Sequence, residues 1–225
     1  MNILERIYKT LIEYNRYILI LQGIKTTMII VLFSCLIGGI IAAIICYMRL
    51  SKNKIIAQIA RCYISFFRGI PIVLLLTLVN YVVFAKVKIS SVMVSIIVFS
   101  LYHSAYVAEI FRSGLSSIHP GQIIAAKALG FKKSQIFPYI LLPQIIRVIF
   151  PVYKGELMTL VKLTSVVGYI GVCDLTRSAD IIRSQTFDAF FPLVVAIILY
   201  FAIIKILTII LSKIEKMIYQ GRLGV

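Results

Sequence analysis

The chain has 225 residues, of which 61% are hydrophobic and only 14% are charged, whereas a soluble domain carries about 25% charged residues. This composition and a mean hydropathy of +1.02 exclude an ordinary soluble protein. The formal net charge of +16 does not indicate nucleic-acid binding, because Lys and Arg lie mostly at the ends of apolar runs. Basic residues there orient helices and contact anionic lipid, so we expect membrane lipid and no nucleic acid as a partner.

The N-terminal residues 1–16 predict a helix lying in the membrane interface. Ile3, Ile7, Leu11 and Tyr14 share one face of such a helix, and charged residues lie elsewhere. The apolar stretch that follows is too long for the core of a signal peptide. We therefore expect this segment to be retained ahead of a first membrane span.

Five apolar runs are long enough to cross a hydrocarbon core, which takes about 20 residues each. Gly38 and Gly39, in the first run, are small residues that allow close helix approach. The sequence thus predicts an all-α polytopic membrane bundle in a single domain of residues 1–225. The predicted spans are residues 27–48, 69–85, 89–110, 136–161 and 191–211.

The second run is preceded by the sequence Arg68-Gly69-Ile70-Pro71. Pro71 lacks a backbone donor and Gly69 adds conformational freedom, so a helix should bend or restart here. Both a moving hinge at Gly69 and Pro71 and a fixed kink fit this pattern.

A polar segment between the third and fourth spans predicts two helices joined by a sharp turn. Pro120 suits the first turn of a helix, Gly130 suits the left-handed position after its end, and Ser134 suits the cap of the next helix. A helix this short is not stable alone. It is explained by a soluble partner that holds it, or by a helix resting on the membrane surface.

Ionisable residues inside the spans are candidate functional groups, because each costs free energy in lipid unless it is paired or hydrated. Glu109 and Arg112 have the spacing of an ordinary helical ion pair. Glu156, Lys162, Thr164 and Ser165 are candidates for lining a substrate pathway, with a structural ion pair as the alternative.

Further along, Asp174, Arg177, Asp180 and Arg183 alternate in charge every third residue and predict solvated ion pairs on a helix. The four cysteines show no CxxC pair, and neither histidine has a partner at ligand spacing. No metal site is expected, and no proton-transfer role is assigned to His103 or His119.

The spacing of Ala125-Ala126, Gly130, Ile140 and Leu142-Pro143 resembles the EAA loop of ABC importer permeases. The flanking sequences are similar to the polar amino-acid permease family in particular: RGIPIVLLL from Arg68, AYVAEIFRSGL from Ala105, and LVKLTSVVGYIGVCDLTRSADII from Leu160. There are two departures. The EAA glutamate is replaced by Ile124, and Leu163 stands where an acidic residue commonly follows the lysine of the LKxTS motif.

This resemblance implies a type I ABC importer permease fold, with five transmembrane helices, an N-terminal interfacial helix and a cytoplasmic coupling helix in residues 120–134. It implies a transport subunit and not an enzyme, with ATP and Mg used by a partner ABC ATPase dimer. This chain would bind no cofactor, which agrees with its lack of a GxxxxGK[ST] phosphate loop. The implied ATPase-coupling residues are Ala125, Ala126, Leu129, Gly130 and Phe131.

The other implied partners are a second permease copy or a paralogue, an extracytoplasmic amino-acid-binding protein and a polar amino-acid substrate. The alternative function is an ion-coupled carrier or channel that works without ATP. The location implied is a bacterial cell membrane. The distribution of Lys and Arg favours an outside N-terminus and a cytoplasmic C-terminus.

Overall fold

The computed structural model describes residues 8–220, and within that range every regular element is helical. Short caps explain several helix starts. The Asn53 side chain accepts a hydrogen bond from the N–H of Ile55, and Ser90 accepts one from Met93. The helices are α1 (Tyr17–Arg49), α2 (Lys54–Gly69), α3 (Ile72–Leu78), α4 (Ser91–Ser116), α5 (Pro120–Ala128), α6 (Lys133–Ile136), α7 (Leu142–Leu163), α8 (Leu175–Thr186) and α9 (Phe191–Gln220).

Four helical segments in the described part of the chain are long and apolar enough to cross a membrane, and a bent pair makes a fifth if it counts as one span. The four are Tyr17–Arg49, Ser91–Ser116, Ser134–Ile170 and Phe191–Gln220. They correspond to the first, third, fourth and fifth predicted spans. The first begins ten residues earlier than predicted, since the apolar sequence YILIL already belongs to α1.

The second predicted span is the one that differs. Lys54–Gly69 and Ile72–Val83 are bent by 101° at the Gly69-Pro71 break, which confirms the predicted bend. Ile70 is extended (φ −110°, ψ 134°), as expected for a residue that precedes proline. Because only 12 residues follow the bend, residues 69–85 do not form a span alone; crossing requires α2 as well.

The core lies where α1 packs parallel to α4. The Ser34 hydroxyl donates to the carbonyl of Ile96, and a Cβ on Gly38 would lie 2.9 Å from the carbonyl oxygen of Ser100. The predicted close approach at Gly38 is therefore confirmed. At Gly39 the prediction is wrong, since no atom of residues 8–220 lies within 4 Å of the Cβ position there. Other fully buried core side chains come from several elements: Ile30, Leu76, Phe99, Leu160, Val161 and Val167.

The predicted N-terminal helix is only partly within the described residues, because Ile3 and Ile7 lie outside them. Tyr8–Ile12 forms one wide turn and Glu13–Asn15 a tight 3-10 turn, with positive φ at Tyr14 (57°) and Asn15 (54°). A continuous helix through Tyr14 is thus not formed. Leu11 packs beside Ile20 at the junction with α8, whereas Tyr14 is 80% exposed.

Helix α9 packs antiparallel to α7 through polar contacts. Lys154 forms an ion pair with Glu215, and the guanidinium of Arg147 donates to the carbonyl of Tyr219. Because Lys154, Glu215 and Arg147 have partners, α7 and α9 can keep these ionisable residues inside or beside their spans.

Candidate functional site

Helix α5 lies between two membrane-spanning segments and has well-defined ends. The Nδ1 atom of His119 accepts a hydrogen bond from the N–H of Gly121 (3.1 Å), and Pro120 is the first helical residue. At the other end Gly130 is left-handed (φ 83°), and the N–H groups of Gly130 and Phe131 donate to the carbonyls of Lys127 and Ala126. This is the Schellman arrangement, and it confirms the predicted turn at Gly130.

One side of α5 is apolar and has no covering element in the described residues. Ile124 is 68% and Leu129 77% exposed, and Ala125 and Ala128 lie beside them on the same helical side. We call these four residues the α5 face. Phe131 is 39% exposed next to it, whereas Ala126 is buried. Of the predicted coupling residues, Ala126 therefore points into the chain, and the structure adds Ile124 and Ala128 to the exposed set.

The start of the next helix differs from the prediction. Lys132, not Ser134, occupies the N-cap position of α6, and the side chain of Gln135 accepts a hydrogen bond from the Lys132 N–H (2.9 Å). The Gln135 side chain thus reaches back to the N-cap residue, as in a capping box, and the helix begins one residue before Ser134.

The candidate pathway residue Glu156 lies against a buried histidine. Its Oε1 atom is 3.7 Å from Nδ1 of His103, which is fully buried on α4, and neither His103 ring nitrogen has a hydrogen bond within residues 8–220. The Cys35 thiol and the Tyr153 hydroxyl form a hydrogen bond (3.1 Å) in the same region. Sequence spacing could not pair His103 with a residue 53 positions away. The available signal for a functional role of His103 was its position as a polar residue in an apolar span.

The other candidate pathway residues are placed in different surroundings. Lys162 is exposed, and the buried Thr164 hydroxyl donates to the carbonyl of Val161. Ser165 lines an open cleft of about 480 Å³ together with Arg177 and Asp180. Within residues 8–220 the four residues thus lie in different surroundings and do not line one cavity together.

A second cavity, of about 520 Å³, lies between α2, the end of α1 and α4. The predicted pair of Glu109 with Arg112 is confirmed at 2.8 Å, and Arg49 lies 3.7 Å from the same carboxylate. The guanidinium of Arg68 stands 5.1 Å from the centre of the Tyr106 ring. Local spacing predicted only the i,i+3 pair, because the remaining residues come together through packing between helices.

Asp174 is not the solvated ion-pair residue that the charge pattern predicted. It is buried as the N-cap of α8, and its carboxylate accepts hydrogen bonds from the N–H groups of Arg177 and Thr176 and from the Tyr200 hydroxyl. Burial raises the pKa of Asp174 above its ordinary value near 3.8, although these hydrogen bonds oppose the rise. The predicted pairing does hold for Arg183 and Asp180, at 3.1 Å.

The helical fold defines the class, a polytopic membrane protein with a short exposed helix between two spans. Residues 35–218 match the family described as binding-protein-dependent transport system inner membrane component, and the chain belongs to that family. It is accordingly a permease subunit, a component of transport and not a catalyst.

Relatives cover most of the chain. It is 32% identical to the Rickettsia typhi protein named for a glutamine transport system permease, GlnP, over 90% of this chain and 94% of the relative. It is 34% identical to the Bacillus subtilis arginine transport system permease protein ArtQ, over 88% and 91%.

Solved structures agree with this fold. A crystal structure of an amino acid ABC transporter with histidines has a TM-score of 0.82 and 32% identity, covering 91% of this chain and 95% of that one. An inward-facing structure of the MetNI methionine ABC transporter has a TM-score of 0.71 at 19% identity and supports the fold alone.

Proposed function

We propose that this chain is the permease subunit of an ATP-driven importer of polar amino acids. It pairs with a second copy or a paralogue and works with an ABC ATPase dimer and an extracytoplasmic amino-acid-binding protein. ATP and Mg are used by the ATPase, and this chain binds no cofactor. The family of the chain supports this proposal, and so do the relatives named as glutamine or arginine transport system permeases.

The observation that carries the coupling proposal is the α5 face. Ile124 and Leu129 expose most of their side chains although α5 lies in a connection between spans. Exposed apolar patches rimmed by polar residues mark protein interaction sites. With Ile124 in place of the usual glutamate, the contact with the ATPase is mainly apolar, and Phe131 and the turn at Gly130 extend it.

Coupling follows from how α5 is attached. Only residues 117–119 separate it from α4, and residues 129–132 separate it from α6, which leads into α7. Movement of α5 with the ATPase therefore moves α4 and α7, which carry His103 and Glu156. ATP binding would bias a two-state bundle between inward-facing and outward-facing arrangements.

For the pathway, we retain Glu156, Lys162, Thr164 and Ser165 as candidates, and Gly69 and Pro71 as a candidate hinge. The carboxylate of Glu156 suits the ammonium of an amino acid, and Lys162 or a hydroxyl suits its carboxylate. Since the exposed side of α7 in a single chain includes Lys162, a second permease copy facing it would enclose a polar space between spans.

The test of coupling is a pair of substitutions on α5. Leu129→Asp places a charge in the apolar contact and is expected to reduce uptake and substrate-stimulated ATP hydrolysis at least tenfold, because an unpaired charge in an interface costs a few kcal/mol. Lys127→Gln lies outside the α5 face and serves as the matched control. Normal uptake by Leu129→Asp, with equal membrane levels, would refute coupling through α5.

A further inference from the structure

The 520 Å³ cavity between α2 and α4 has more positive than negative charge. Its polar lining on α2 repeats at helical spacing, with Arg61, Ser65 and Arg68 on one side of the helix. Glu109, the acidic residue of this lining, is already in contact with Arg112 and Arg49. Arg61 and Arg68 contact no carboxylate within the described residues, so two guanidinium groups are available to an anion.

The position of the cavity favours a polar ligand, and not lipid acyl chains, as its occupant. Arg68 is the residue before Gly69, at the bend that separates α2 from α3, and α2 forms a span only together with the segment after the bend. Unpaired charges within spans face water or a ligand, since hydrocarbon solvates them poorly. The guanidinium of Arg68 is held over the Tyr106 ring, and its planar N–H edge can bind a carboxylate with two parallel hydrogen bonds.

Two tyrosines lie in contact with each other beside this cavity. The Tyr106 ring stacks on Tyr102 with centroids 5.0 Å apart, and their hydroxyls lie 3.1 Å apart. The Arg68 guanidinium is thus positioned by an aromatic pair and not by a single ring.

We propose that Arg68, supported by Arg61 and Ser65, binds the α-carboxylate of the transported amino acid. This inference rests on the proposed function, and it assigns the substrate carboxylate to Arg68 on α2 in place of Lys162 or a hydroxyl. Sequence spacing did not indicate Arg68. Substrate bound at Arg68 would also lie next to the bend between α2 and α3, because Arg68 directly precedes Gly69.

The test is direct binding to the full chain, purified with its accompanying subunits in nanodiscs and without the external binding protein. The probes are glutamine, arginine and histidine, each compared with its carboxamide, which lacks the carboxylate charge. The wild type is expected to bind at least one acid more tightly than its amide. Arg68→Gln should weaken acid binding about 10- to 100-fold, the effect of losing a charged hydrogen bond, and leave amide binding unchanged.

Lys54→Gln removes a positive charge from the same side of α2 outside the cavity, and it should retain the wild-type preference. Arg68→Lys should recover part of that preference, because it restores the charge without the planar fork. Equal binding of acid and amide by the wild type, absence of binding, or an unchanged preference in Arg68→Gln would overturn the proposal. So would competition by inorganic phosphate as strong as by the amino acid, which would indicate a general anion site.

Uptake by the assembled complex separates the two claims. If Arg68→Gln leaves ATP-driven amino-acid uptake unaltered, the proposed carboxylate site is refuted. The proposed importer function is not affected by that result. A wild-type complex that imports none of the amino acids would remove the importer function itself.

Discussion

At the scale of single residues, Gly38 and Gly39 make a matched pair of neighbours with opposite surroundings. A Cβ at Gly38 would meet the Ser100 carbonyl at 2.9 Å and the His103 ring at 3.2 Å, whereas Gly39 has open space. Gly38→Ala should therefore lower the free energy of unfolding by about 1–3 kcal/mol through overpacking. Gly39→Ala should be neutral or slightly stabilising.

This difference can be measured as thermal midpoints of the purified chain in detergent, followed by tyrosine fluorescence. Equal midpoints for the two variants would contradict the close approach of α1 and α4 at Gly38.

Asp174 gives a pH-dependent prediction. Because burial raises its folded-state pKa above 3.8, its stabilising contribution is present below that pH and is lost as the pH rises through the folded pKa. Asp174→Asn keeps an oxygen acceptor for the N-cap and removes the ionisation. The wild type should lose thermal stability relative to Asp174→Asn as the pH rises from about 4 toward neutrality.

Midpoints of both proteins measured over that pH range test this prediction. Parallel curves would show that the Asp174 carboxyl does not titrate differently in the folded protein.

Single residues also show how far sequence reasoning extends. Gly130 and the Glu109–Arg112 pair were predicted because their causes are local, a helix end and an i,i+3 spacing. His103 with Glu156, and Arg68 with Tyr106, were not predicted because each pair joins helices far apart in sequence. Asp174 was assigned to solvent for the same reason, since its burial depends on α1 and Tyr200.

At the scale of elements, the bend between α2 and α3 can be tested as a hinge. In the described part of the chain no heavy atom lies within 4 Å of the Cβ position of Gly69, and its φ is not left-handed, so Gly69→Ala is tolerated in this arrangement. Restricting a glycine is worth about 0.4–1 kcal/mol. If the bend changes during transport, Gly69→Ala should reduce the uptake rate roughly two- to fivefold.

Uptake by Gly39→Ala provides the control, because that glycine is equally unhindered and lies in the regular helix α1. A Gly69→Ala rate equal to that of the control would indicate a fixed kink.

Hydropathy predicts some of the membrane spans directly and fails for one of them. Runs such as that of α9 are apolar enough to predict a span directly. The segment after Pro71 looked like a span of its own, but a 101° bend leaves it only 12 residues. Hydropathy reports the burial of side chains in lipid or protein, and it carries no information on the direction of the helix axis.

At the scale of the whole molecule, the orientation in the membrane is a prediction from the distribution of basic residues. Lys127 on α5 should lie in the cytoplasm and Lys88, before α4, outside. In a Cys62→Ser background, Lys88→Cys should react with an impermeant thiol reagent in intact cells, and Lys127→Cys only after permeabilisation. The reverse labelling pattern would contradict an outside N-terminus and a cytoplasmic C-terminus.

ATP hydrolysis by a partner ATPase is the proposed energy source of transport. The purified chain, reconstituted in proteoliposomes with its ATPase and its binding protein, should accumulate a labelled polar amino acid only when ATP and Mg are supplied on the ATPase side. Leu129→Asp should abolish this accumulation, and Lys127→Gln should retain it. Accumulation driven by an ion gradient without ATP would contradict the account and favour a carrier.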